Sequence, residues 1–188
     1  MTVRVMFVAP AIGFEVRAAR FGDDGPSDEA ALAAVRSAAG TLPTPARAFA
    51  SPSLRCRQTA QALGLGAEPL PQLADLDVGL WRGRSLDEVA AADPAAISAW
   101  LSDPAAAPHG GEPVTALVAR VGGWLDELAE QSGRVAAVAE PAVVRAAVVQ
   151  ALGLPPGVFW RLDVRPLSVT ELSGRAGRWN LRCGWDLT

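Results

Sequence analysis

Val3-Arg4-Val5-Met6-Phe7-Val8, continuing as Ala9-Pro10-Ala11-Ile12-Gly13, is the stretch that decides the fold of this chain. Apart from Arg4 its first six residues are apolar, three of them valine, which suits a strand buried on both faces of a parallel sheet. In such sheets the chemistry gathers in the crevice past the C-terminal ends of the strands. Here that position carries Ala9, Pro10 and Ala11. No side chain between Ala9 and Gly13 can give up a proton, take one or attack a substrate. The place where a reactive turn is expected is chemically silent.

Beyond this turn the chain alternates helix and strand signals. Residues 14–26 read as a polar loop closing on Gly22-Asp23-Asp24-Gly25-Pro26. Ser27 is placed to cap a helix running to about residue 39, with Asp28 and Glu29 in its first turn and Gly40 at its stop. Residues 46–50 predict a second strand, and Ser51-Pro52-Ser53 opens a helix through Leu63. Ser85 and Glu88 form a capping box for a short helix ending before Asp93-Pro94, and a second short helix carries Trp100. Leu117, Val121, Trp124, Leu125 and Leu128 mark the apolar face of a longer helix. Residues 134–139 read as another buried strand, 142–152 as a helix stopped by Gly153, and 167–172 with 178–183 as a closing hairpin. This order predicts an α/β fold, a three-layer α/β/α sandwich with a mainly parallel central sheet, and residues 1–188 as a single domain. Val3–Val8 and 134–139 are expected to be adjacent inner strands, with Pro10 and Glu140 facing one crevice.

Composition narrows the function. The formal net charge of −3 points to neither nucleic acid nor an acidic membrane surface as partner. The chain has no Lys and no Tyr, which removes Schiff-base chemistry and a tyrosine acid or nucleophile. Cys56 and Cys183 are too few and too far apart for a disulfide framework or a zinc site. No apolar run has the length of a signal peptide or a membrane span, so a cytoplasmic protein without metal or cofactor is expected.

Several motifs together resemble the histidine phosphatase superfamily, the phosphoglycerate-mutase-like fold. Ser51-Pro52-Ser53-Leu54-Arg55-Cys56-Arg57-Gln58-Thr59 matches the pattern Ser-x-Leu-x-Arg-Ala-x-Gln-Thr nearly intact. Leu73-Ala74-Asp75, followed by Gly79 and Gly83, is similar to the stretch that carries the family's glutamate, shortened here to aspartate. Pro108-His109-Gly110-Gly111-Glu112-Pro113 resembles the Pro-Gly-Gly-Glu rim. The family's Arg-His-Gly, however, falls on Ala9-Pro10-Ala11, and its second histidine motif reads Val138-Ala139-Glu140-Pro141-Ala142-Val143-Val144-Arg145.

The resemblance implies a phosphorylated imidazole, a carboxylate that protonates the leaving oxygen, and two arginines with a second imidazole cradling the phosphate. Here Pro10 replaces the nucleophile, Ala9 one arginine, and Glu140 the second imidazole. Arg55 is then the one family cation expected to remain, with Asp75 and Glu140 in reach to pair with it. The pocket is expected around Ala9, Pro10, Arg55, Asp75, Trp81, Glu112 and Glu140; Trp81 is taken to lie near its mouth and the other tryptophans in core or hairpin packing. His109 reads as an exposed loop residue and Cys56 as a packed thiol. Three functions follow in order. The first is a pseudoenzyme that binds a small molecule or a protein partner, with a homodimer among the options. The second is a repurposed enzyme, such as a lyase, isomerase or cyclase, using Asp75 and Glu140 as an acid–base pair. The third is a weak residual phosphatase with His109 as nucleophile.

Overall fold

The computed structural model describes residues 2–22 and 24–186, the last four by backbone alone. Asp23 and the side chain of Cys183 therefore lie outside the described residues. The sheet order is β3-β2-β4-β1-β5-β6. Strands β1 (Val3–Val8), β2 (Arg47–Ala50), β3 (Glu68–Pro69) and β4 (Gly133–Val138) run parallel. The hairpin of β5 (Ser168–Arg175) and β6 (Arg178–Asp186) completes one edge antiparallel. The expected neighbours β1 and β4 are paired from Val3↔Gly133 to Val8↔Val138.

Both faces of these inner strands are apolar, so two helical layers can cover them. Val3, Val5 and Phe7 of β1, with Val135 and Ala137 of β4, pack toward α6 (Val114–Ala129) and α7 (Pro141–Leu152). Met6 and Val8, with Ala136 and Val138, pack toward α2 (Glu29–Ser37) and α3 (Leu54–Ala62). This two-residue alternation, with Val5–Val8 and Val135–Val138 all buried and Arg4, Gly133 and Arg134 exposed at the strand starts, is the signature of a doubly covered parallel sheet. The capping box at Ser85 opens α4 (Leu86–Ala92), and Asp93 caps α5 (Pro94–Ser102), whose first residue is proline. Gly153 ends α7 in the left-handed conformation, φ 60°.

Two local expectations are corrected. The polar loop begins with a single helical turn, α1 (Phe14–Arg17), and its start returns to Ser27 through a bridge with Gly13. Ser27 does not cap α2. Its hydroxyl donates instead to the carbonyl of Ala11 at 3.2 Å, and Asp28 takes the N-cap position. Ser27 thus tethers the turn after β1, and Asp28 stands at the N-cap without a side-chain capping bond.

Candidate functional site

The parallel strands deliver three segments to one place. Just past β1, β2 and β4 stand Ala9-Pro10, Ser51-Pro52-Ser53 and Ala139-Glu140, with the Ser51 N–H donating to Val138 O and the Ala139 N–H to Val8 O. The Gln58-Thr59 end of the Ser51–Thr59 motif holds this arrangement. Thr59 Oγ1 accepts the Ala11 N–H at 3.0 Å, and Gln58 Oε1 accepts the Ser27 N–H at 2.9 Å. Both residues serve the geometry of the turn, so the motif retains a structural use whatever follows β1.

Glu140, 3% exposed, is bound at both oxygens. Ser53 Oγ donates to Oε1 at 2.9 Å, and Arg55 Nη2 makes a close ion pair with Oε2. The Ser53 hydroxyl also accepts the Cys56 N–H at 3.3 Å as the N-cap of α3. Arg55 thus has its carboxylate partner, and that partner is Glu140. Asp75 makes no ion pair with it and is held by the Leu76 N–H at 2.8 Å.

These groups open into a crevice of about 570 Å³. Arg55, Asp75 and Glu140 line it, as do Arg145, Trp100 and Trp160. Ala9 and Pro10 are buried behind the lining, and neither belongs to it. Trp81 and Glu112 also lie outside it. Trp81 is buried against His109, with ring centres 5.1 Å apart, and Glu112 is engaged by both Nε and Nη2 of Arg120, at 3.0 and 2.7 Å. Trp81 is thus packing beneath the crevice, and Trp100 and Trp160 line it instead, whereas Trp124 and Trp179 are buried in the core. Arg55 is not the one family cation at the crevice either, because Arg145 lines it too.

His109 is fully buried, which overturns its assignment as an exposed loop residue. Its Nδ1 accepts the Gly111 N–H at 3.0 Å, its ring packs edgewise against Trp81 and Trp100, and it is not part of the crevice lining. Burial pulls its basicity below the ordinary imidazole value. Cys56 is a packed thiol as expected, pushed well above the ordinary range by burial and then by the charge of Glu140. Asp75 differs from both. The protein mass around the crevice and the negative charge of Glu140 raise its carboxyl from 3.8 to about 7. Yet the residue keeps an exposed surface toward the solvent that fills the crevice. Among the described residues no group of three or more His, Cys, Asp or Glu is placed to hold a metal ion.

Comparison with known proteins now fixes the family. The family model of the histidine phosphatase superfamily, branch 1, matches residues 27–186. This chain belongs to that superfamily. No curated protein matches it by sequence. Among solved structures it is similar to one titled mycobacterial hydrolase 1, at 25% identity and a TM-score of 0.88 over 99% of both chains. It is also similar to a mycobacterial glucosyl-3-phosphoglycerate phosphatase in complex with VO3, at 26% identity and a TM-score of 0.87 over 98% of this chain and 99% of that one. A protein from Thermus thermophilus is 26% identical, with a TM-score of 0.77 over 98% of this chain and 99% of that one. Among the described residues no helix is long and apolar enough to cross a membrane.

Proposed function

We propose that this histidine-phosphatase-fold chain, a single domain over residues 1–188, acts as a ligand-binding pseudoenzyme and not as a phosphatase. The observation that carries this is the Arg55–Glu140–Ser53 cluster. A phosphate cradle needs guanidinium and imidazole donors with free valences aimed at three equatorial oxygens. Here the Arg55 guanidinium is matched by the Glu140 carboxylate, which the resemblance aligns with a family imidazole. Pro10 contributes no nucleophile and no N–H. A phosphate dianion entering the crevice would displace Glu140 from Arg55 and still meet Asp75.

Residual phosphatase activity through His109 finds no support, because that imidazole is buried among indoles with Nδ1 committed to Gly111. The acid–base alternative keeps one supporting observation. Asp75, raised to about 7, is matched to proton transfer near neutrality, whereas Glu140 is engaged at both oxygens.

Titration of the protein with vanadate by calorimetry, together with an aryl phosphate assay at high protein concentration, tests the proposal. We expect no micromolar vanadate affinity and no turnover. Glu140→His is expected to leave both unchanged, since Ala9 and Pro10 remain. Micromolar vanadate binding to the native protein, or turnover abolished by Arg55→Ala, would overturn the proposal.

A further inference from the structure

We propose that the crevice binds a small zwitterion, an amino acid-like molecule with an apolar body, its ammonium at Asp75 and its carboxylate at Arg145. This rests on the preceding reading of the crevice as a binding site without phosphate chemistry, and it names the ligand class.

Four arginines line the crevice, and three have carboxylate partners: Arg20 with Glu88 at 3.6 Å, Arg55 with Glu140, and Arg82 with Asp77 at 3.0 Å. Arg145 is the exception. Its Nε donates to Leu162 O at 2.7 Å, and among the described residues no carboxylate lies within ion-pairing distance of it. Its guanidinium carbon rests 5.8 Å from the ring centres of both Phe159 and Trp160, so its direction is set by packing on two rings. Nη1 and Nη2 are left as a fork that suits a carboxylate.

The acids give the complementary result. Glu140 and Asp77 are matched by arginines. At the mouth Glu15 accepts the Gly25 N–H, and Asp24 accepts the Leu54 N–H. Asp75 is bound only by the next residue's N–H, and the arginines that act on it are engaged elsewhere: Arg55 with Glu140, Arg120 with Glu112. Arg145 feels the charge of Asp163, which lies outside the lining, and then that of Asp75 across the crevice, without touching either. The lining therefore presents Arg145 as its one arginine without a carboxylate in contact, and Asp75 as an anion held by a single backbone N–H with no arginine in contact.

A cation alone would leave Arg145 unmatched. An anion alone would leave Asp75 unmatched and would face Glu140 as well. A molecule carrying both charges meets both groups. The wall between is preformed for an apolar body: Trp100 and Trp160 pack with centres 4.2 Å apart, and Trp160 Nε1 donates to Trp100 O at 3.3 Å. A crevice of about 570 Å³ is in the range of small-molecule sites.

Four probes sharing one phenyl body separate the terms by calorimetry: phenylalanine, phenethylamine, 3-phenylpropionate and phenyl phosphate. Phenylalanine is expected to bind at least about tenfold more tightly than phenethylamine or 3-phenylpropionate, each of which loses one charge-assisted contact, and phenyl phosphate is expected not to bind. Asp75→Asn should bring phenylalanine down to the affinity of 3-phenylpropionate, and Arg145→Gln to that of phenethylamine. If Arg145→Gln does not fold, Arg145→Lys, which keeps the charge and loses the fork, should weaken phenylalanine by a smaller factor. A singly charged probe that binds as tightly as phenylalanine, no effect of Asp75→Asn, or no phenylalanine binding at about 10 mM would overturn the zwitterion and leave the non-phosphatase reading standing. Preferential binding or cleavage of phenyl phosphate would overturn both.

Discussion

Arg55–Glu140 and Arg120–Glu112 are chemically the same pair in two different settings. The first lies at the crevice floor, with side chains 12% and 4% exposed, and Arg55 meets Glu140 through Nη2 alone. The second lies outside the crevice lining, 26% and 18% exposed, and Arg120 meets both oxygens of Glu112. Arg120 Nη1 also donates to the carbonyls of Gln72 and Ala74, at 2.9 and 3.0 Å, immediately before Asp75. One pair removes a cation from the crevice; the other fastens the segment that brings an acid into it. What separates them is burial and partner number. A deeply buried pair matters mainly through what is stranded when it is broken, and a partly solvated one through the segments it joins.

Breaking the floor pair should have the largest effect. Glu140→Leu leaves Arg55 and the Ser53 hydroxyl facing apolar surroundings and should lower unfolding stability by about 3–5 kcal/mol. Urea denaturation measures this. The double variant Arg55→Met/Glu140→Leu should regain most of the loss, because neither charge is then left alone. A single-variant loss below about 1 kcal/mol would show that solvent reaches the pair freely.

The outer pair should respond less and more locally. Arg120→Met forfeits charge-assisted bonds to Glu112 and to two carbonyls at a partly exposed position, a loss of about 2 kcal/mol. Its particular consequence is release of the segment before Asp75, so amide exchange should accelerate at residues 70–77 ahead of the rest of the chain. Stability that falls with no change in exchange there would remove the fastening role.

The sheet was legible because β1 and β4 carry apolar residues at every inner position, a pattern that only double coverage satisfies. The floor pair was legible from the family resemblance, which aligns Glu140 with a motif position beside the strand end and brings Arg55 within its reach. Arg145 was harder to place, since it is the single charge in the apolar run Ala142–Leu152 and its surroundings come from residues 159–162. The rim misled for a stated reason. Gly110 and Gly111 suggested an exposed turn around His109, but a Cβ on Gly111 would lie 2.1 Å from Asp77 O, and one on Gly79 2.2 Å from His109 O. These glycines mark two segments crossing in contact, and the crossing buries His109 and Trp81. Such an approach between distant segments has no periodic signal in either of them.

The smallest expected effect concerns Asp75, the acid that the outer pair helps to hold in place, and its sign is opposite to the other two. With its carboxyl at about 7 in the folded chain against 3.8 ordinarily, the folded state binds this proton more tightly than the unfolded chain does. Its contribution is fully present below pH 3.8 and is lost as pH rises toward 7, above which the folded protein carries an ionised Asp75 opposite Glu140. Asp75→Asn removes that repulsion. Because the residue is open to the solvent of the crevice, screening reduces the gain to about 1 kcal/mol at pH 8, falling to nothing near pH 4. Urea midpoints of both proteins at several pH values give the difference curve. A gain confined to the alkaline side would show that the acid is kept at a cost in stability, as expected of a group retained for a ligand. An Asp75→Asn variant less stable than the native protein at pH 8 would mean that the carboxylate is satisfied by the fold and is no part of a binding site.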